Sequence, residues 1–179
     1  VYTAAALGVL FAALGIAFIR PAARLLGAEG EMLEHAATYS RIILPALPFN
    51  TLQLLFQSFF VTAEKPKPGL TVTLLSGLTN MVLDALLVIL LPQEYKLAGA
   101  AAATAMSQVV GGAVPLIYFL RRNGSLLRLS RCRFDGRAIR KACTNGSSEF
   151  MSNISMNLVG MLYNLQLLKY AGENGVAAY

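Results

Sequence analysis

Charge is scarce in this chain. Only 13% of its residues are Asp, Glu, Lys or Arg, whereas soluble domains carry about 25%. The shortage is also uneven: long uncharged apolar runs alternate with short charged ones, and 56% of the residues are hydrophobic. That segregation argues for a membrane protein rather than one soluble domain. Acids are scarcer than bases. Asp84 and Asp135 are the only aspartates, so the sequence holds no pair of clustered aspartates for metal-assisted chemistry. The single histidine, His35, lies in a polar, charged stretch where a solvated imidazole is its ordinary role. There is no Gly-rich phosphate loop and no Ser-His pairing. These absences exclude an enzyme. The two cysteines, Cys132 and Cys143, fit no metal-ligand spacing and are expected to stay reduced on a cytoplasmic face.

The formal net charge of +6 would permit nucleic acid as a partner, but its location does not. Arg121, Arg122, Arg128, Arg131, Arg133, Arg137, Arg140 and Lys141 all fall between two apolar runs. That is the composition of a cytoplasmic loop under the positive-inside rule, with membrane lipid rather than nucleic acid as its neighbour. The first apolar run has no basic residue before it and no cleavage pattern, so it reads as a span and not as a signal peptide. The abrupt start at Val1 and stop at Tyr179 lead us to expect a piece of a longer protein.

Hydropathy marks five spans: residues 2–19, 42–63, 69–91, 97–120 and about 147–168. Each is close to the roughly 20 apolar residues that cross a bilayer. Gly8 and Gly15 in the first would let another helix approach closely. Arg20-Pro21 closes it. Residues 20–41 are mixed, and Leu25, Leu26, Met32 and Ala36 against Glu29, Glu31 and Glu34 predict an amphipathic stretch on the membrane surface. Pro45 and Pro48 lack the backbone N–H and bend the second span near its start. The Lys65-Pro66-Lys67-Pro68 segment breaks the chain before the third span. This reading divides the chain into residues 1–120 with four spans, a basic linker over 121–146 and one further span within 147–179.

The loops orient the bundle. Alternating sides place ten Lys or Arg, those of residues 64–68 and of the basic linker, on one face, and the remaining five on the other. The first span then runs outward from the cytoplasm of a cell inner (plasma) membrane.

Asp84 stands inside residues 70–91, an otherwise uncharged run. A charged side chain near the bilayer centre costs roughly 3 kcal/mol on insertion scales, so a carboxylate kept there points to an ion or proton pathway. Asn80 lies one helical turn before it. Thr73, Ser76, Gly77, Asn80 and Asp84 form one stripe at spacings of three and four. Thr104, Ser107, Gln108 and Gly111 form a second. Asn50, Gln53 and Gln57 form a third, and Glu149, Asn153, Asn157, Gly160 and Asn164 a fourth. Lipid offers such groups no partners, so they face protein or water. They are candidates for a substrate cavity. The same amides and hydroxyls serve equally as hydrogen-bonding glue between helices, and Glu149 equally as a helix start.

Leu25-Leu26-Gly27-Ala28 with Tyr39, Pro48-Phe49, Asn80-Met81-Val82-Leu83-Asp84, Gly99-Ala100-Ala101 to Ala103-Thr104, Gly146-Ser147-Ser148-Glu149 and the final Gly172 to Tyr179 occur in the order and spacing of a known family. The chain resembles the multidrug and toxic compound extrusion family of secondary transporters. That resemblance implies an all-α, polytopic membrane bundle of about five transmembrane helices, helices three to seven of a twelve-helix, two-lobe transporter. It implies that Asp84, Asn80 and Thr104 help form a cation site coupled to H+ or Na+, with no other cofactor. It also implies that the substrates are small organic cationic or amphiphilic compounds, and that the remaining helices of the full-length transporter are partners. The rivals are a lipid or oligosaccharide flippase of the same superfamily and a non-transporting helical scaffold.

Overall fold

The computed structural model describes residues 1–28, 30–121, 129 and 135–178. Arg122, Arg128, Arg131, Cys132 and Arg133 of the expected linker, and Glu29, lie outside these. Every regular element among the described residues is helical: α1 (Tyr2–Leu25), α2 (Gly30–Ile43), a 3-10 turn (Leu44–Ala46), α3 (Leu47–Thr62), α4 (Pro66–Leu90), a second 3-10 turn (Gln93–Tyr95), α5 (Lys96–Leu120) and α6 (Gly136–Ala178). The chain falls into two units, Val1–Ser130 and Arg131–Tyr179.

Proline and the left-handed backbone set the breaks. Pro45 and Pro48 cannot donate to the carbonyls of Arg41 and Leu44, and the helix tightens to a 3-10 turn between α2 and α3. Pro66 opens α4, where its missing N–H would have had no intrahelical partner anyway. α1 closes on Gly27 at φ 88°. There the amide of Ala28 donates to the carbonyl of Ala23, and that of Gly27 to Arg24, both at 3.0 Å, which is the Schellman arrangement. α3 closes in the same way, with Lys65 donating to Phe60 at 3.0 Å and Glu64 to Val61 at 3.1 Å. Here the left-handed residue is Glu64, at φ 54°, and its acid sits at the negative end of the helix dipole. Glu64→Gly is therefore expected to stabilise the protein by about 1 kcal/mol, read as a higher melting temperature in detergent; an unchanged or lower value would contradict the strain.

In the first unit α5 is the centre, packed on α2, α3 and α4, while α1 packs on α2 and α3. Its buried positions are small residues, Gly99, Ala101, Ala103, Ser107, Gly111 and Gly112, followed by Pro115 and Phe119. Small residues let helix backbones come close, which is how helices associate where lipid removes the hydrophobic drive between them. One end of the unit is aromatic. Phe56, Phe60 and Phe119 are fully buried, and the Phe56 and Phe119 rings stack with centroids 5.4 Å apart. Large apolar side chains cover the outside: Ile89 is 79% exposed and Leu90 73%. Such surfaces suit lipid and not water.

Among the described residues, four helical stretches are long and apolar enough to cross a membrane: Tyr2–Leu25, Gly30–Thr62, Pro66–Leu90 and Lys96–Leu120. The architecture is that of an all-helical membrane bundle, and three sequence expectations change. First, α1 does not stop at Arg20-Pro21. It bends at Phe18 (φ −105°, ψ 15°) and continues to Leu25, because proline one turn on frees a single carbonyl and kinks a helix without ending it. Second, the expected surface stretch over 20–41 is instead the end of α1 and a packed helix. α2 buries Leu33 and Ala37 and leads into the second span. Third, the expected fifth span lies within one 43-residue helix, α6, which is not among the four apolar stretches. α6 begins at Gly136, inside the stretch read as linker, because Asp135 caps it. The Asp135 Oδ1 accepts from the amides of Arg137 at 2.9 Å and Ala138 at 3.4 Å, a standard N-cap. α6 also continues through Gly172 without a break.

Candidate functional site

α4 and α5 run antiparallel, which brings the stripe of one against the stripe of the other. Asn80 Nδ2 donates to Thr104 Oγ1 at 3.4 Å. One turn further from the aromatic end, Asp84 Oδ1 is buried with no hydrogen-bond partner among the described residues. An acceptor removed from water without a donor costs free energy, and for a charged carboxylate the cost is larger still. At about 1.5 Å per residue, Asp84 lies roughly 9 Å from the end of α4 at Leu90 and roughly 27 Å from its start at Pro66. The site is thus within the span, towards one end.

α3 supplies the third polar face. Gln57 Nε2 donates to Thr73 Oγ1 on α4 at 3.4 Å. Gln53 packs its amide where a side chain at Gly111 of α5 would sit, so Gly111 is the recess that admits it. Asn50 is half-buried on the same helix. Gln108 Oε1, one turn from Thr104, is a second buried acceptor without a partner. Gly77 has open space around it. Three of the four expected polar faces are therefore assembled in the first unit.

The fourth is described within its own unit. Glu149, Asn153 and Asn157 are exposed on α6. Asn153 Nδ2 donates to the Glu149 carbonyl at 2.8 Å and to its Oε1 at 3.4 Å, and Asn157 Nδ2 to the Asn153 carbonyl at 2.8 Å. Glu149 sits well inside α6 rather than at its first turn, so the helix-start role falls to Asp135 instead. A groove of about 470 Å³ lies along α6, lined by Val159, Leu162, Tyr163, Gln166, Leu167 and Tyr170; it is apolar and carries no acid. Within the first unit, Arg20 Nη2 pairs with Glu34 Oε1 at 2.9 Å, both half-exposed. Such a surface pair contributes at most about 1 kcal/mol and ties α2 to α1.

The pattern of residues 1–86 matches the MatE family model. The matched segment covers α1 to most of α4 and includes both Asn80 and Asp84. Across its whole length the chain is 29% identical to the multidrug export protein MepA of Staphylococcus saprophyticus, 28% to that of Staphylococcus haemolyticus and 26% to that of a Staphylococcus aureus strain. It spans 39% of the length of these relatives. A solved inward-facing multidrug resistance MATE family transporter superposes over 98% of the chain and 40% of its own length, with a TM-score of 0.89 and 22% identity. The chain thus shares the helical fold of the matching part of that structure. Stripe spacing picks out Ser76 and Ser107 beforehand, but not that Ser76 bonds a backbone carbonyl on α5, since no sequence pattern reports which carbonyl a hydroxyl meets.

Proposed function

We propose that the full-length protein carrying this chain is a secondary active exporter of organic cationic or amphiphilic compounds, working by alternating access in the inner (plasma) membrane. Asp84, Asn80 and Thr104 form the coupling site for H+ or Na+. Asn50, Gln53, Gln57 and Gln108 contribute to the substrate cavity of the first lobe, and Glu149, Asn153 and Asn157 to that of the second. Lys65, Lys67 and the basic linker face the cytoplasm.

The observation that carries this reading is the buried, unpartnered Asp84 Oδ1 beside the Asn80–Thr104 pair. A carboxylate held in apolar surroundings is neutralised by a proton or by a cation. Carboxylate, amide carbonyl and hydroxyl oxygens are hard donors that suit Na+ as well as H+. While charged, Asp84 attracts a cationic drug; once neutralised, it no longer does, and the drug leaves outward. The polar amides of α3 and α5 give an amphiphile hydrogen bonds without fixing one shape. The names of the relatives, all multidrug export proteins, agree with this class.

The test is flux. Full-length protein in proteoliposomes is expected to move an organic cation against its gradient when a proton or sodium gradient is imposed. Absence of movement under both gradients, with intact folding, refutes the proposal.

A further inference from the structure

The hydroxyls of α4 behave in two ways. Thr71, Thr73 and Thr79 each donate to a carbonyl one turn earlier in their own helix, those of Lys67 at 3.0 Å, Gly69 at 3.1 Å and Leu75 at 2.7 Å. This is the local bond that a helical Ser or Thr always has within reach. Ser76 does not take it. Its Oγ crosses to α5 and donates to the backbone carbonyl of Ser107 at 2.8 Å, and both serines are 7% exposed. Ser107 then donates its own hydroxyl to the carbonyl of Thr104 at 2.8 Å. Thr104 is the residue whose Oγ1 accepts from Asn80.

The spacing connects this to the acid. Ser76, Asn80 and Asp84 follow one another at four-residue steps on one edge of α4, each about one turn of roughly 5.4 Å beyond the last. On α5 the buried positions beyond Thr104 are Ala103, Ala101 and Gly99. Small side chains make close but smooth contacts, and smooth contacts resist sliding poorly. A directional bond to a backbone carbonyl resists it well, because that acceptor has no rotamer to adjust. We propose that Ser76 is a positioning residue for the coupling site. Its bond to the Ser107 carbonyl sets the axial register of α4 on α5, and through that register the meeting of Asn80 with Thr104 and the depth of the Asp84 carboxylate. The inference rests on the reading of Asp84 as the coupling acid.

The experiment titrates drug efflux by the reconstituted full-length transporter against the coupling ion. Ser76→Ala is expected to raise the half-saturating ion concentration about three- to tenfold, the range of one hydrogen bond, and by more than it changes the drug KM. Ser107→Ala leaves the carbonyl acceptor in place and is expected to shift the ion titration less. Asp84→Asn is measured alongside. An unshifted titration in Ser76→Ala, beside loss of coupling in Asp84→Asn, overturns the register role and leaves the coupling site standing. An unchanged titration in Asp84→Asn removes the coupling site itself, and the role of Ser76 with it. If Ser76→Ala does not reach the membrane, Ser76→Cys, a weaker donor, carries the test: a raised half-saturation supports the role and an unshifted one overturns it.

Discussion

If the proposed function holds, Asp84→Asn in the full-length protein is expected to lower ion-driven efflux at least about thirtyfold, the scale of losing one member of a buried charge pair. Asparagine keeps the size and one carbonyl but cannot carry a charge or take up a proton. The buried Oδ1 has no donor among the described residues, so under the proposed function its charge would be available to a transported ion. The same substitution is expected to leave folding intact or improve it, because it removes an uncompensated buried acceptor of charge. Efflux from energised cells and a melting curve in detergent together check this. Unchanged efflux would take Asp84 out of the mechanism, and a lower melting temperature would mean the carboxylate is held by a structural partner instead.

Gly112→Val is expected to have the largest effect on stability. Pro48 and Phe49, at the start of α3, are clamped between two glycines. A Cβ at Gly8 of α1 would stand 2.8 Å from the Cα of Pro48, and one at Gly112 of α5 would stand 2.8 Å from the Cα of Phe49 and press on its carbonyl oxygen. These are backbone atoms, which cannot swing aside. Overpacking of this kind costs typically 1–3 kcal/mol, and here it also parts α5 from α3, where Gln53 meets Gly111. Gly77→Ala is the control. A Cβ there meets nothing within 4 Å, and alanine in a helix gains about 0.5–1 kcal/mol over glycine. Melting temperatures should therefore move in opposite directions; a tolerated valine at Gly112 would show that α3 and α5 are not in contact there.

Much of this arrangement is legible in the residues. Uncharged runs of bilayer length announce α1, α4 and α5. Spacings of three and four announce the stripes, and the lone aspartate in such a run marks the candidate site. The boundaries are less legible. Pro21 reads as a stop but is only a bend, because one missing N–H interrupts one bond of a ladder. Residues 20–41 read as a surface helix because their charges are many. Arg20 meeting Glu34 across the gap, and Ala37 buried at 0% exposure, are facts of packing that no periodicity contains. The start of α6 is legible in retrospect from Asp135, an N-cap residue ahead of the helix.

What the order of residues determined alone is the placement of the first four apolar segments, the face on which each carries its amides and hydroxyls, and the position of one acid among them. These follow from the local geometry of a helix and from the cost of charge in hydrocarbon. What only the tertiary structure decided is partnership: that Asn80 meets Thr104, that Ser76 leaves its own helix for Ser107, and that the Asp84 Oδ1 finds no donor among the described residues. Partnership depends on how far one helix slides and turns against another. That is set by glycines fitting around Pro48 and Phe49 and by small residues along α5, contacts between segments far apart in the chain.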